Sequence, residues 1–515
     1  MNFSGNLTRK KMNTIFLALE SGFDKYINDV FGKYTGWFVN AILAEIPITE
    51  TIGIPWVLII LLLGAGFFTV YYKFVNITEF FTAIKVVKGD FDTVEKDIIS
   101  TSLSNEQVNK NGNGEVSHFQ ALTTAVSATV GLGNIAGVAI ALSIGGPGAT
   151  FWMIIIGLLG MSSKFVECTL GVKYREIEQG GVVFGGPMYY LKNGLAEIRQ
   201  TKLGKVLAAA FALMCIGGSF GGGNMFQVNQ AFKLFNHVVI SENSAIHDQG
   251  WIFGVIMAIL VGIVIIGGIR KIASVTDKIV PFMVLIYIIS VVLILGFNFT
   301  LIPDALHTIW DSAFNPEGVL GGFIGVIIQG FRRGAFSNEA GIGSASIAHS
   351  AVKTNYPASE GLVALLEPFI DTVVVCTMTA LLLIVTGQIE TGIQINFEEG
   401  VLLTASALES GVSWLPYVLT VAVILFAFSS MISWSYYGYQ SWSYLFGRGK
   451  KTEYTYKLIF CCFTVIGAAA TLTAVTDFSD AMIFAMMVPN MIGLFLLRNK
   501  VKEEFIRYKN KIKKV

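Results

Sequence analysis

Two stretches of this chain set helix-breaking glycines and polar side chains inside otherwise apolar segments. The first is SATVGLGNIAGVA at 127–139, where Gly131, Gly133 and Gly137 flank Asn134. The second is GFRRGAFSNEAGIGSAS at 330–346, where glycines mix with Arg332, Arg333, Asn338 and Glu339. Backbone that leaves helical geometry in hydrocarbon exposes N–H and C=O groups at several kcal/mol each, and is tolerated where those groups face a ligand or an ion. The chemistry this favours is binding rather than bond breaking. Free amides at a helix start suit a carboxylate, and bare carbonyl oxygens suit a hard cation. Glu339, Glu367 and Asp371 are ionisable residues in apolar surroundings and so functional candidates. Glu367 and Asp371, spaced i, i+4, are expected on one helix face. Arg332 and Arg333 read as their partners, in a gate or in a buried salt network bracing the protein.

The elements that position these residues are membrane spans. Of the 515 residues, 53% are hydrophobic and 14% charged, where a soluble domain would carry about a quarter charged. Runs of about 20 apolar residues are long enough to cross the hydrocarbon as helix. Eleven are expected, near 55–75, 118–142, 147–171, 205–234, 250–268, 276–298, 319–345, 360–386, 413–442, 455–474 and 478–497. An all-α membrane protein follows. Residues 1–54 form an N-terminal segment whose mixed stretch 12–45 suggests an amphipathic helix on the surface. Residues 76–117 read as a solvated linker and 498–515 as a basic tail.

Basic residues set the orientation. Taken alternately from the first span, the connections 76–117, 172–204, 269–275, 346–359, 443–454 and 498–515 hold most of the 36 Lys and Arg. The intervening connections 143–146, 235–249, 299–318, 387–412 and 475–477 hold none. The C-terminus is therefore expected in the cytoplasm and, with an odd span count, the N-terminus and its 1–54 segment outside it.

Spans two to six (118–298) and seven to eleven (319–497) form two sets of five, each led by a glycine-broken helix. Five is odd, so the second set runs inverted, the pattern of a carrier with its binding site at mid-membrane. Gly133-x-x-x-Gly137 is also a small-residue packing motif. GLGNIAG lacks both the spacing and the preceding strand of a dinucleotide fingerprint.

Other classes fit less well. A net charge of +1 argues against a nucleic-acid partner. The five histidines, His118, His237, His247, His307 and His349, are scattered without a nucleophile–base set or metal-ligand spacing, which argues against an enzyme. Cys168, Cys215, Cys376, Cys461 and Cys462 lack zinc or disulfide spacing and read as apolar filler. No cofactor is expected. A channel lined by broken helices is the remaining rival.

The sequence resembles the alanine/glycine:cation symporter family, the sodium:alanine symporters, from about residue 55 onward. The matching stretches are VGLGNIAGVA (130–139), GGPGATFWM (145–153), GMSSKFVECTLGVKYRE (160–176), GGPMYYL (185–191), FSNEAGIGSASIAHSAVKT (336–354) and FIDTVVVCTMTALLLIVTG (369–387). Thr150 and Ile154 depart from the family's usual aliphatic residue and second tryptophan. The resemblance implies a LeuT-type 5+5 inverted repeat with one additional N-terminal span, in a bacterial inner membrane. It also implies uptake of a small neutral amino acid, alanine or glycine, with sodium; a proton-coupled carrier of another small solute is the alternative. In that fold the substrate carboxylate meets the amides of Val130, Gly131 and Gly133 with Asn134 nearby, and its ammonium meets carbonyls near Phe336. The resemblance adds Gln227, Ser430 and Trp434 to the substrate site, the indole closing the side-chain pocket. It maps sodium to carbonyls of Ser127, Val130 and Phe426 and hydroxyls of Ser429 and Ser430, a set without a carboxylate. Adjacent serines in an apolar helix also commonly bond back to their own preceding turn.

Overall fold

The structure, a computed structural model, describes residues 35–47, 53–92, 114–178, 181–244, 246–315, 322–389 and 400–513. Helix dominates because the apolar runs satisfy their own backbone and need no partner strand. Among the described residues, six helices are long and apolar enough to cross a membrane: Ala149–Lys173, Thr201–Val239, Gly268–Phe297, Pro357–Val385, Leu415–Phe446 and Val475–Ile512. His118–Thr129 and Leu132–Gly145 make a seventh, bent by 56° at its break. Trp56–Tyr71 and Gly250–Ile265 are apolar but shorter, and Gly322–Asn338 and Lys450–Ala469 cover the other expected spans.

Several connections hold more structure than composition suggested. The expected linker begins with helices Val75–Thr78 and Phe80–Lys88. They are packed, with the Phe80 ring 4.8 Å from that of Phe369 and Lys509 Nζ 2.7 Å from Glu79. The basic tail is not separate; it continues the last span as one helix, Leu472–Ile512. Gly400–Glu409 is an unforeseen apolar helix in the 387–412 connection, and Gly400 lies against Ala136 and Ile140 of the first broken helix. Of the expected amphipathic helix, 12–34 lies outside the described residues, while 35–42 is helical.

Two small antiparallel hairpins close the connections. β1 (Glu45–Pro47) pairs with β2 (Gly53–Pro55), Glu45 opposite Pro55. β3 (Glu176–Ile177) pairs with β4 (Val183–Phe184), Glu176 opposite Phe184.

Lipid supplies no hydrophobic drive between helices, so close approach at small residues holds the bundle. Gly330 and Gly334 do this against Ala149–Lys173: added Cβ atoms would stand 2.6 Å from the Ala149 carbonyl oxygen and 2.4 Å from Ile156. Gly133 and Gly137 do not form such a stripe. A Cβ on Gly137 would meet nothing within 4 Å, and one on Gly133 only atoms at 3.8 Å or more. The packing motif is therefore on the seventh expected span, and the second span's glycines serve its break.

Candidate functional site

In the first broken helix, a serine cap with a capping box starts His118–Thr129. The chain then leaves α-geometry at Val130 (φ −74°, ψ 89°) and Gly131 (φ −140°, ψ −148°). A 3-10 turn Leu132–Asn134 and the helix Ala136–Gly145 follow. The amides expected to stand free are largely engaged. Val130 N–H donates to Val126 O at 2.7 Å, Gly131 N–H to Asn134 Oδ1 at 2.9 Å and Leu132 N–H to Gln227 Oε1 at 3.2 Å. Two of these acceptors are neutral side chains, which an incoming carboxylate can replace with a stronger, charge-assisted bond. Gly131 is wedged: a Cβ there would lie 2.7 Å from Ser430 Oγ and 3.0 Å from Gln227 Oε1. A side chain at this position would have to displace one of them.

The serines meet across this break. Ser430 Oγ donates to Ser127 O at 2.9 Å, Ser127 Oγ to Ser429 O at 2.7 Å and Ser433 Oγ to Ser127 Oγ at 3.1 Å. Ser429 Oγ bonds back to Phe426 O at 3.0 Å, so it both follows the local habit of serine in a helix and joins the cluster. Ser127, Phe426, Ser429 and Ser430 thus gather oxygens between the first broken helix and Leu415–Phe446. All four are buried.

Gln227 is held by donating Nε2 to Gly222 O at 3.0 Å. That carbonyl belongs to a π-helical turn, Gly221–Met225, of the kind that recurs at functional sites. Its glycines admit Trp434: a Cβ on Gly223 would stand 2.2 Å from the indole Cγ. Trp434 is buried, its ring 5.3 Å from that of Tyr437. Phe336 faces Gly133 from the second broken helix and packs edge-on against Phe226 at 5.8 Å.

The second break lies slightly later than expected. Phe336 is still helical, in Gly322–Asn338. Glu339, Gly341 and Gly343 then take positive φ (54°, 82° and 100°) before the short helix Ala345–His349. The Ala340 amide, which would continue the ladder to Phe336 O, donates instead to Asn338 Oδ1 at 3.0 Å.

The expected network of Arg332, Arg333, Glu339, Glu367 and Asp371 is not one cluster. Arg332 and Arg333 pair with Asp480 of the last span, at 2.8 and 3.5 Å. Glu367 pairs with Lys164 at 2.9 Å. Glu339 accepts from Ser344 Oγ at 2.5 Å. Asp371 faces elsewhere: its Oδ1 accepts from Asn134 Nδ2 at 2.7 Å, and its Oδ2 from Ser337 Oγ at 2.8 Å and Thr372 Oγ1 at 2.7 Å. Glu367 and Asp371, four residues apart with the start of the π-helical stretch Phe369–Cys376 between them, take different partners. Asn134, expected beside the substrate, is therefore anchored on both sides, to Gly131 and to Asp371. Lys164 and Asp480 escaped sequence reasoning, although Lys164 and Glu167, spaced i, i+3 within the apolar helix Ala149–Lys173, were a usable signal.

A cavity of about 270 Å³ opens between Glu115, Phe184, Arg270, Tyr436, Gln440 and Lys457. Tyr436 and Gln440 follow Ser430 on the same helix by six and ten residues, roughly 9 and 15 Å at 1.5 Å per residue. The cavity approaches the break from the face that carries the basic connections.

Comparison with known proteins gives the family and the fold. A profile of the sodium:alanine symporter family matches residues 39–515. The sodium/alanine symporter AgcS of Methanococcus maripaludis is 38% identical over 449 residues, 87% of this chain and 93% of that protein. The probable sodium/glutamine symporter GlnT of Bacillus subtilis is 33% identical over 448 residues, 86% of each. The crystal structure of MhsT in complex with L-phenylalanine matches with a TM-score of 0.53 at 14% identity, over 75% of this chain and 89% of that one, which shows the LeuT-type fold. The chain is a multi-pass membrane transporter, a sodium-coupled amino-acid symporter, and belongs to the sodium:alanine symporter family.

Proposed function

We propose that the protein imports alanine, and glycine with it, together with sodium, by alternating access to one site at the first break. The observation that carries this is Gly131, wedged between Ser430 and Gln227 with the Ser127–Ser429–Ser430 oxygens one turn away. A carboxylate takes over the Gly131 and Leu132 amides from Asn134 and Gln227, and sodium takes the oxygens of Ser127, Val130, Phe426, Ser429 and Ser430. The ammonium meets the carbonyl of Phe336. Trp434, seated on Gly223, bounds the side-chain space and favours small residues.

Asp371 adds what the ligand set lacked. Its carboxylate is buried on neutral donors and, among the described residues, forms no ion pair. A buried charge without a partner is costly, and an arriving cation or ammonium relieves that cost. The transported sodium still carries one net charge inward, gaining roughly 2.3 kcal/mol per 100 mV.

In this reading 118–298 and 319–497 are inverted repeats, and the face with the basic connections is cytoplasmic. The 270 Å³ cavity is then the cytoplasmic vestibule, and the Arg332–Arg333–Asp480 cluster guards the outer side. The test is radiolabelled alanine uptake into proteoliposomes under an inward sodium gradient, with glycine, D-alanine, leucine and glutamine as competitors. Saturable uptake that needs sodium and is blocked by glycine but not leucine is expected. Uptake unchanged without sodium and abolished by a protonophore would replace sodium with a proton. Non-saturable flux would make the protein a channel.

A further inference from the structure

A second buried system has no role in the sodium and substrate scheme. Glu360, on the helix Pro357–Ala364, is fully buried and receives two imidazoles. His118, the first residue of the first broken helix, meets Oε2 through Nδ1. His349, the last residue of Ala345–His349, meets Oε1 through Nδ1 at 2.5 Å. One carboxylate thus ties together the inner halves of both broken helices. Backbone bonds run alongside: Glu115 N–H to Ala351 O at 2.7 Å and Lys353 N–H to Val116 O at 2.8 Å.

The system continues inward. His349 Nε2 lies 3.7 Å from Glu367 Oε2, and neither atom has a hydrogen-bond partner. Glu367 Oε1 holds Lys164, whose Nζ stands 3.8 Å from Glu167 Oε1, also without a partner. Lys164, Glu167, His349, Glu360 and Glu367 are all fully buried. Other facing groups are Arg175, which donates to the carbonyls of Ser350 and Thr354 at 2.8 and 2.9 Å, Asn490 on Glu167, Glu339, Cys168, Tyr190, Tyr437 and Asp371. The carboxylates outnumber Lys164 and Arg175, and so large a surplus of charge is costly at such depth. Protons on the imidazoles and carboxylates must make up the difference. His118, at 8% exposure, is the most exposed of the three linked groups.

We propose that His118, Glu360 and His349 form a proton-binding clasp that holds the cytoplasmic face shut, and that opening this face releases a proton. Opening swings the 118–129 helix off the 357–364 helix and strips His118 from Glu360. The separated groups hold a proton less tightly than the pair, so acid on this face favours the closed form and alkali the open one. Binding linkage is reciprocal, so opening must then expel the proton. The proposal rests on alternating access with this face cytoplasmic, but not on which amino acid is carried.

Hydrogen–deuterium exchange of the full chain in nanodiscs tests it without substrate. After correction for intrinsic exchange, the opening of peptides spanning 115–129 and 345–352 should rise with pH, by up to about tenfold per unit for one proton. E360Q and H349Q should flatten that slope; H118Q, at the edge, folds most readily and should flatten it too. A flat slope in the unaltered protein, or an unaltered slope in H118Q, overturns the clasp. A pH-dependent slope in a protein that fails to take up alanine with sodium leaves the clasp standing and overturns the substrate reading instead.

Discussion

The two broken helices use the same device in opposite electrostatic settings. At 130–135 the break is held by neutral groups: its amides rest on the side chains of Asn134 and Gln227, and the Ser127 carbonyl just before it on the Ser430 hydroxyl. At 339–344 the break is flanked by ion pairs, Lys164 with Glu367 behind it, and Arg332 and Arg333 of the preceding helix with Asp480 of the last span. Neutral dipoles can be given up to a ligand and taken back, whereas buried ions must remain paired whatever else happens. The first break is thus suited to exchange ligands and the second to carry load and hinge.

The largest effect that sharpens this contrast is at Lys164. Lys164→Ala leaves Glu367 and Glu167 buried without their cation, a loss of about 3–5 kcal/mol. Thermal unfolding monitored by fluorescence-detected size exclusion should show it as severe destabilisation, with or without sodium. Gly131→Ala should act the other way, with uptake falling at least about tenfold as the methyl meets Ser430 and Gln227, while the melting temperature barely moves. A collapse of stability in Gly131→Ala would erase the distinction between the breaks.

Asp371→Asn separates the neutral site from its single charge. Loss of one buried anion should raise the sodium concentration for half-maximal uptake by about tenfold or more, since 1.4 kcal/mol is tenfold. An unchanged sodium response would return Asp371 to a purely structural role. Ser429→Ala removes one hydroxyl worth about 1 kcal/mol, and the same titration should shift by roughly fivefold. Smallest of all is Glu197→Gln, which removes the partner of Lys500 at 2.7 Å on the solvated face. An exposed pair of this kind contributes 0–1 kcal/mol, so uptake and melting temperature should both stay put.

Much of the architecture was legible in the residues. Helix breaks are local events, and the glycines and polar side chains at 127–139 and 330–346 marked both. Ser127 and Ser430 meet across the first break, Ser430 and Gln227 flank Gly131, and Trp434 sits on Gly223. The ionic partners were not legible. Arg332 and Asp480 are 148 residues apart, and nothing along the chain ties one to the other. The Glu367–Asp371 spacing misled because nearness along one helix does not fix a partner: Glu367 meets Lys164 and Asp371 meets Asn134. The state of the amides at 130–132 was also hidden, because Gln227 reaches Leu132 across 95 residues.

By itself, then, the sequence determined that the chain lies in lipid, where its long apolar helices run, which two come undone and which face holds its basic residues. These follow from length, hydropathy and backbone chemistry, all of which act over a few turns. Only the tertiary structure decided which glycines pack and which bend, that Asp371 joins the first break while Glu367 joins Lys164, and that one carboxylate receives two histidines. A charge buried in hydrocarbon takes whichever partner the packed helices bring within about 3–4 Å, and that distance is a property of the bundle rather than of any segment.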